Sequence, residues 1–286
     1  MQLLVVVALV GLVAQLVDGS LGMGMGVIST SLLIGAAGLT PAVASASVNL
    51  AKVGAGLASG ISHWKFGNVD WRVTLSLAVP GAIGAFAGAV FLASLSTDSA
   101  RPWTAGVLVV MGVIMLARFA ASRSSNPQPA RRQLPQAYLI PVGLGGGLVN
   151  ATGGGGWGPV TMPALLLTGR VAPNHAVGSV SAAEFVVAVA GSIGFLWKLP
   201  DLSSIWPIVV VLTVAGVAAA PFAAWLTKRL PSRILGVLVG GLVVAVNIEP
   251  ILSVLDVSAA TQTATFIGLA GIWVAAAVSA VRLERV

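Results

Sequence analysis

Two glycine clusters and a few isolated polar side chains are what this apolar chain offers to chemistry. Residues 150–165 read N-A-T-G-G-G-G-W-G-P-V-T-M-P-A-L, with Gly153, Gly154, Gly155, Gly156 and Gly158 crowded together and Pro159 and Pro163 behind them. Nearer the start, Gly22, Gly24 and Gly26 fall at alternate positions. Glycine is entropically costly in a helix and proline lacks the amide donor, so each cluster should break a helix in two. A helix that restarts after such a turn presents unpaired amides and the positive end of its dipole. An oxyanion can sit there with no cationic side chain at all. Gly22, Gly24, Gly26, Gly154, Gly155 and Gly156 are therefore candidate substrate-binding residues. Ser20 and Thr152 stand just before the turns, where a hydroxyl either caps the restarting helix or meets the ligand, and Trp157 could wall or gate a cavity. The competing reading is close helix packing. Packing motifs are spaced by four residues rather than clustered, which favours a site.

Lys52 and Glu184 lie inside long, otherwise apolar stretches. Charges within a membrane are costly and face a partner or a water-filled path. Lys52 could attract an anion and Glu184 could carry a coupled proton; alternatively the two pair as a structural clamp. Asn49 and Ser181, one turn earlier on the same helical face, join Lys52 as candidate substrate-binding residues. Asp18 is either a second proton carrier or a cap on the next segment. His175 and Asn174 follow Pro173 at a helix start, and Arg170 reads as a loop charge. With no cysteine and two histidines, no metal site or cofactor is expected. No Ser-His pair, His-rich helix or paired catalytic carboxylates mark an enzyme. A G-x-x-x-x-G-K-[ST] loop for ATP-driven transport is missing as well.

The elements that must position these residues are helices in a bilayer. Mean hydropathy is +1.00, 57% of residues are hydrophobic and 8% are charged, against about 25% charged in soluble domains. Apolar segments recur along the whole chain, so the class is a polytopic helical membrane protein. The net charge of +7 fits basic cytoplasmic loops facing anionic lipid rather than nucleic acid. The first apolar stretch lacks a basic flank and reads as structural rather than as a cleaved signal.

The chain is also a duplication. A shift of 132 residues aligns Asp18 with Asn150, Ser20 with Thr152, Gly22 with Gly154, Gly24 with Gly156, Gly26 with Gly158, Pro41 with Pro173, and Lys52 with Glu184. Each half holds two short segments around its glycine turn (3–17 and 27–37; 138–149 and 160–168), then a long one (41–62; 173–197). Two further spans follow in each (73–95 and 103–118; 205–226 and 234–248), and residues 261–281 add a last span. Spanning takes about 20 residues, so the short pairs read as half-helices of the kind that form transporter sites. The expected architecture is all-α: an inverted repeat of two homologous halves, each with a Gly-rich broken or re-entrant helix pair. Its units are residues 1–121, a basic cytoplasmic linker at 122–136, residues 137–250, and a C-terminal helix in 251–286.

Orientation follows the positive-inside rule. Arg118, Arg123, Arg131 and Arg132, then Lys228, Arg229 and Arg233, then Arg282 and Arg285, and the His63, Lys65 and Arg72 loop are placed inside. Asp98, Asp201, Glu249 and Asp256 fall outside. The N-terminus is then outside and the C-terminus cytoplasmic, with seven, nine or eleven crossings. Trp64, Trp71, Trp103, Trp197 and Trp206 sit near predicted interfaces and fit an aromatic belt.

The motif G-x-x-A-x-x-x-D-G-x-x-G-x-G-x-G at 11–26, its partner G-G-G-G-W-G-P-V-T-M-P-A-L at 153–165, and A-V-G-S at 176–179 resemble the TauE/SafE family over essentially the whole chain. Ser31, where the second half has Pro163, departs from the family pattern and breaks exact equivalence of the two turns. The resemblance implies a secondary transporter of small sulfur-containing anions, such as sulfite or sulfoacetate; the reading adopted is an exporter in the cell membrane, with protons entering as candidate coupling ion through Glu184 and Asp18. An anion channel on the same scaffold, or an importer of thiosulfate- or sulfate-like anions, are the alternatives.

Overall fold

The computed structural model describes residues 2–121, 134–168, 170–199, 203–226 and 232–284. Most of the central linker, with Arg123, Arg131 and Arg132, lies outside them, as do Asp201, Lys228, Arg229 and Arg285. The described chain is helical: α1 (Gln2–Leu21), α2 (Met25–Gly35), α3 (Pro41–Lys65), α4 (Trp71–Ser94), α5 (Thr97–Ala121), α6 (Gln136–Gly153), α7 (Trp157–Leu167), α8 (Pro173–Lys198), α9 (Trp206–Leu226), α10 (Ser232–Asn247), α11 (Glu249–Val254) and α12 (Ala259–Glu284). A single 3₁₀ turn, Ser203–Ile205, precedes α9. Six of the helices are long and apolar enough to cross a membrane, and the protein is a multi-pass membrane protein.

Both breaks fall at the glycine clusters. Gly22 and Gly24 have φ of 70° and 144°, and Gly154 has φ of 71°, a region where side chains with a Cβ are strained. Proline opens α3 and α8 at Pro41 and Pro173, where its missing donor costs nothing. The Asp70 carboxylate caps α4 by accepting from the Arg72 and Val73 amides at 3.0 and 3.2 Å.

The helices flanking the breaks are less equal than the sequence predicts. α1 has 20 residues and α6 has 18, each about 27–30 Å long at 1.5 Å per residue, whereas α2 and α7 have 11 each, about 16 Å. Each break therefore joins a longer helix to a shorter one. The glycines of 143–147 do not interrupt α6; Gly143 and Gly147 bring it against α4. A Cβ on Gly143 would lie 2.6 Å from the Leu77 carbonyl oxygen, and one on Gly88 2.7 Å from that of Leu148. The short helix α11 and the internal prolines Pro80, Pro141 and Pro221 are further departures from the expected run of plain spans.

Helix lengths and interfaces follow the pattern of the sequence duplication. α2 and α7 have equal length, and α3 and α8 both begin at the matched prolines. Exchange the halves and the main interfaces map onto one another: α4 on α6 becomes α9 on α1, and α4 on α8 becomes α9 on α3. The α3–α8 and α5–α10 interfaces map onto themselves. Along the α3–α8 contact, Gly56 meets Phe185 and Gly60 meets Ala182, so these helices run antiparallel. Ser31, where Pro163 stands in the other half, accepts a hydrogen bond from Asn247 Nδ2 at 2.7 Å, an α2–α10 tie that proline could not make. Trp64, Trp71, Trp103, Trp197 and Trp206 are all exposed, as lipid-interface residues should be, whereas Trp157 is 0% exposed.

Candidate functional site

Why the clusters are so rich in glycine becomes plain where the two breaks meet. A Cβ on Gly26 would collide with Gly155 Cα, and one on Gly158 would lie 2.7 Å from Met23 Cα. The Thr30 hydroxyl, on α2, donates to the Gly154 carbonyl at 3.0 Å. The N-termini of α2 and α7 thus converge in the core of the molecule. Close packing and juxtaposition of the two helix ends are here one arrangement.

The two ends differ in their free donors. The first amide of α2, Met25 N–H, donates to Asp18 Oδ1 at 3.2 Å, so Asp18 serves as a cap, one of the two roles its position predicts. Its counterpart Asn150 does not repeat this, and the Trp157 amide has no side-chain acceptor among the described residues. Pro159, third in α7, carries no amide proton. The open donors at this end are those of Trp157 and Gly158.

Beside the breaks runs a polar spine on α3. Lys52 Nζ lies 2.5 Å from Glu184 Oε1 and donates to Asn150 Oδ1 at 3.1 Å. Asn150 Nδ2 donates to Asn49 Oδ1 at 3.0 Å, and Asn49 Nδ2 donates to the Ser45 carbonyl at 2.9 Å. Ser45 Oγ in turn donates to the Ala151 carbonyl at 2.6 Å. Ser45, Asn49 and Lys52 recur every three or four residues, one face of a helix. Lys52 is 2% exposed and Glu184 7%. The ammonium also lies 3.0 Å from where a Gly26 Cβ would stand, over the first turn of α2. A cation at a helix N-terminus opposes the dipole; the Asp18 and Glu184 carboxylates offset that repulsion.

The remaining expectations divide. Thr152 is buried, but its hydroxyl donates to the Leu148 carbonyl at 3.0 Å, so it does not cap α7. Trp157 Nε1 donates to the Val180 carbonyl at 2.9 Å, and its ring fills the gap left by Gly81 and Gly146. Ser181 is buried on α8, one turn before Glu184. Ser20 ends α1, and its side chain lies outside the described residues. His175 stands in the first turn of α8, and Arg170 lies between α7 and α8. Thr30, Ser45 and Thr104, whose hydroxyl donates to the Thr152 carbonyl at 3.1 Å, were not foreseen. The first two match Met162 and Val177 in the other half, so the repeat gave them no support.

Comparison with known proteins bears on the whole chain. A family model described as "Sulfite exporter TauE/SafE" matches residues 7–249. A Bacillus subtilis (strain 168) protein named "Probable membrane transporter protein YtnM" is 44% identical over 96% of this chain and 92% of its own. A Xylella fastidiosa (strain Temecula1 / ATCC 700964) "Probable membrane transporter protein" is 30% identical over 80% of this chain and 88% of its own. No solved structure matches.

Proposed function

The chain belongs to the sulfite exporter TauE/SafE family of membrane transporters, and we propose that it is a secondary transporter of a small sulfur-containing anion, sulfite or an organosulfonate, working as an exporter. The observation that carries this is the convergence of the α2 and α7 N-termini beside the buried Lys52. Helix-end amides and dipoles favour an oxyanion, and Gly22, Gly24, Gly26, Gly154, Gly155 and Gly156 let backbone approach it. Asn49, Ser181, Ser20, Thr152 and Trp157 would shape the site. Alternating access then follows by rocking of two inverted halves around it. The antiparallel course of α3 and α8 supports that inversion, with the N-terminus outside and the C-terminus cytoplasmic.

The test is thermal stabilisation of the detergent-purified protein by sulfite, beside sulfate, thiosulfate, sulfoacetate and chloride. A sulfur anion should raise the unfolding midpoint, by mass action on the folded state, and Lys52→Ala should abolish the shift. No shift with any anion from a well-folded preparation would overturn the proposal. Conductance far above carrier turnover would favour a channel.

A further inference from the structure

Resting on that reading, we infer that Glu184 is a tethered stand-in for the substrate: the anion and the Glu184 carboxylate compete for Lys52, so each anion bound is accompanied by one proton taken up on Glu184. Three observations converge on this. First, the Lys52 ammonium is already engaged, by Glu184 Oε1 at 2.5 Å and Asn150 Oδ1 at 3.1 Å, and at 2% exposed it has no solvent face to offer an incoming anion. Second, Lys52 and Glu184 occupy the same position in the two copies of the repeat, on α3 and α8, whose interface maps onto itself when the halves are exchanged. An ion pair across that interface is placed to break and reform as the halves rock. Third, the charges close. The Lys52–Glu184 pair cancels, and the Asp18 carboxyl already occupies the first amide of α2, at the positive end of that helix. The resting site is therefore near neutral, and a monoanion added to it would leave an unbalanced charge in a low-dielectric interior, which is costly. Protonating Glu184 as the anion takes its place on Lys52 restores the balance.

The groups around Glu184 support the assignment. From the elements packed against α8, Lys52 of α3 faces it directly, and Asp18 of α1 lies within electrostatic reach of both. Asp18 is held on the Met25 amide. His63 and Lys65 of α3, and Asp70 and Arg72 of α4, lie towards one end of these helices, and His175 and Lys198 stand at the ends of α8 itself. Among the described residues, α6 and α7 bring no charged side chain.

The experiment counts protons in proteoliposomes holding the wild-type protein and an entrapped pH dye. Sulfite is run beside methanesulfonate, a sulfonate whose single charge does not titrate. Anion flux down its gradient should carry protons in the same direction, one per monoanion. Binding followed by thermal shift should weaken about tenfold per pH unit on the alkaline side, the slope for one linked proton. Glu184→Gln should still bind anion, without that slope, and its anion exchange should move no protons. Anion flux without protons in the wild type, or loss of binding in Glu184→Gln as complete as in Lys52→Ala, would overturn the inference while leaving anion transport standing. If Glu184→Gln does not fold, the wild-type proton count decides alone. Neither binding nor flux of any anion in the wild type would instead overturn the transport reading itself.

Discussion

A buried ammonium survives in a membrane interior only if every donor has somewhere to go, and at Lys52 Asn150 supplies one of the acceptors. Asn150 also donates to Asn49, so truncating it strips two buried groups of a partner at once. Asn150→Ala should destabilise the folded protein by about 1–3 kcal/mol, the range for leaving a buried polar group unsatisfied. A lowered unfolding midpoint in detergent checks it, and an unchanged midpoint would mean that the spine contributes little. How much of this was legible in the sequence depends on the residue. Lys52, Glu184, Asn49 and Asp18 stand out because a polar side chain in an apolar helix must have a reason, and the duplication pairs Lys52 with Glu184 and Asp18 with Asn150. That the pairs then diverge, with Asp18 capping α2 while Asn150 turns to Lys52, was not legible. Equivalent positions in a repeat share a backbone neighbourhood, but their partners depend on which side chains the other half brings. Thr30 and Ser45 were invisible for the complementary reason: hydroxyls are cheap in helices, and only the break opposite gives these two a role.

At the scale of elements, the sequence marked where helices break but does not separate the several uses of glycine around those breaks. The same residue type ends α6 at Gly154 and continues it at Gly143 and Gly147, because positive φ is needed only at the first and close backbone approach at the others. Composition cannot separate these uses; the neighbour α4 decides. Within α6 the distinction is testable. A Cβ on Gly147 would strike the Gly81 carbonyl of α4, whereas Gly145 is exposed and has nothing within 4 Å. Gly147→Ala should cost about 1–3 kcal/mol, the scale of overpacking. Gly145→Ala should be neutral or stabilising by up to about 1 kcal/mol, since alanine is the better helix former. Unfolding midpoints of the two variants measured side by side check this. Equal effects would show that α6 does not owe its glycines to α4.

At the scale of the whole molecule, the question is which way each half faces. α3 ends at Lys65 beside the start of α8, and α8 ends at Lys198 beside the start of α3, because Gly56 meets Phe185 and Gly60 meets Ala182. These are equivalent helices of a duplicated unit, so their antiparallel course places equivalent ends at opposite faces of the helix layer. If that layer is the bilayer, the two halves have opposite topology, and the proposed orientation, with His63, Lys65 and Arg72 on the inner side, puts the end of α3 at the cytoplasmic face. The chain has no cysteine, so single cysteines can be read without background. Phe66 and Trp197 are 65% and 69% exposed at the two equivalent ends, and neither belongs to the spine or the breaks. In sealed inside-out and right-side-out vesicles, a membrane-impermeant maleimide should label Phe66→Cys only from the cytoplasmic face and Trp197→Cys only from the opposite one. Labelling of both from one side would mean that the halves share an orientation, and a site built from two helix ends entered alternately from two sides would lose its basis. Labelling from opposite sides leaves rocking about α3 and α8 as the motion the fold allows, with the Lys52–Glu184 pair at its pivot.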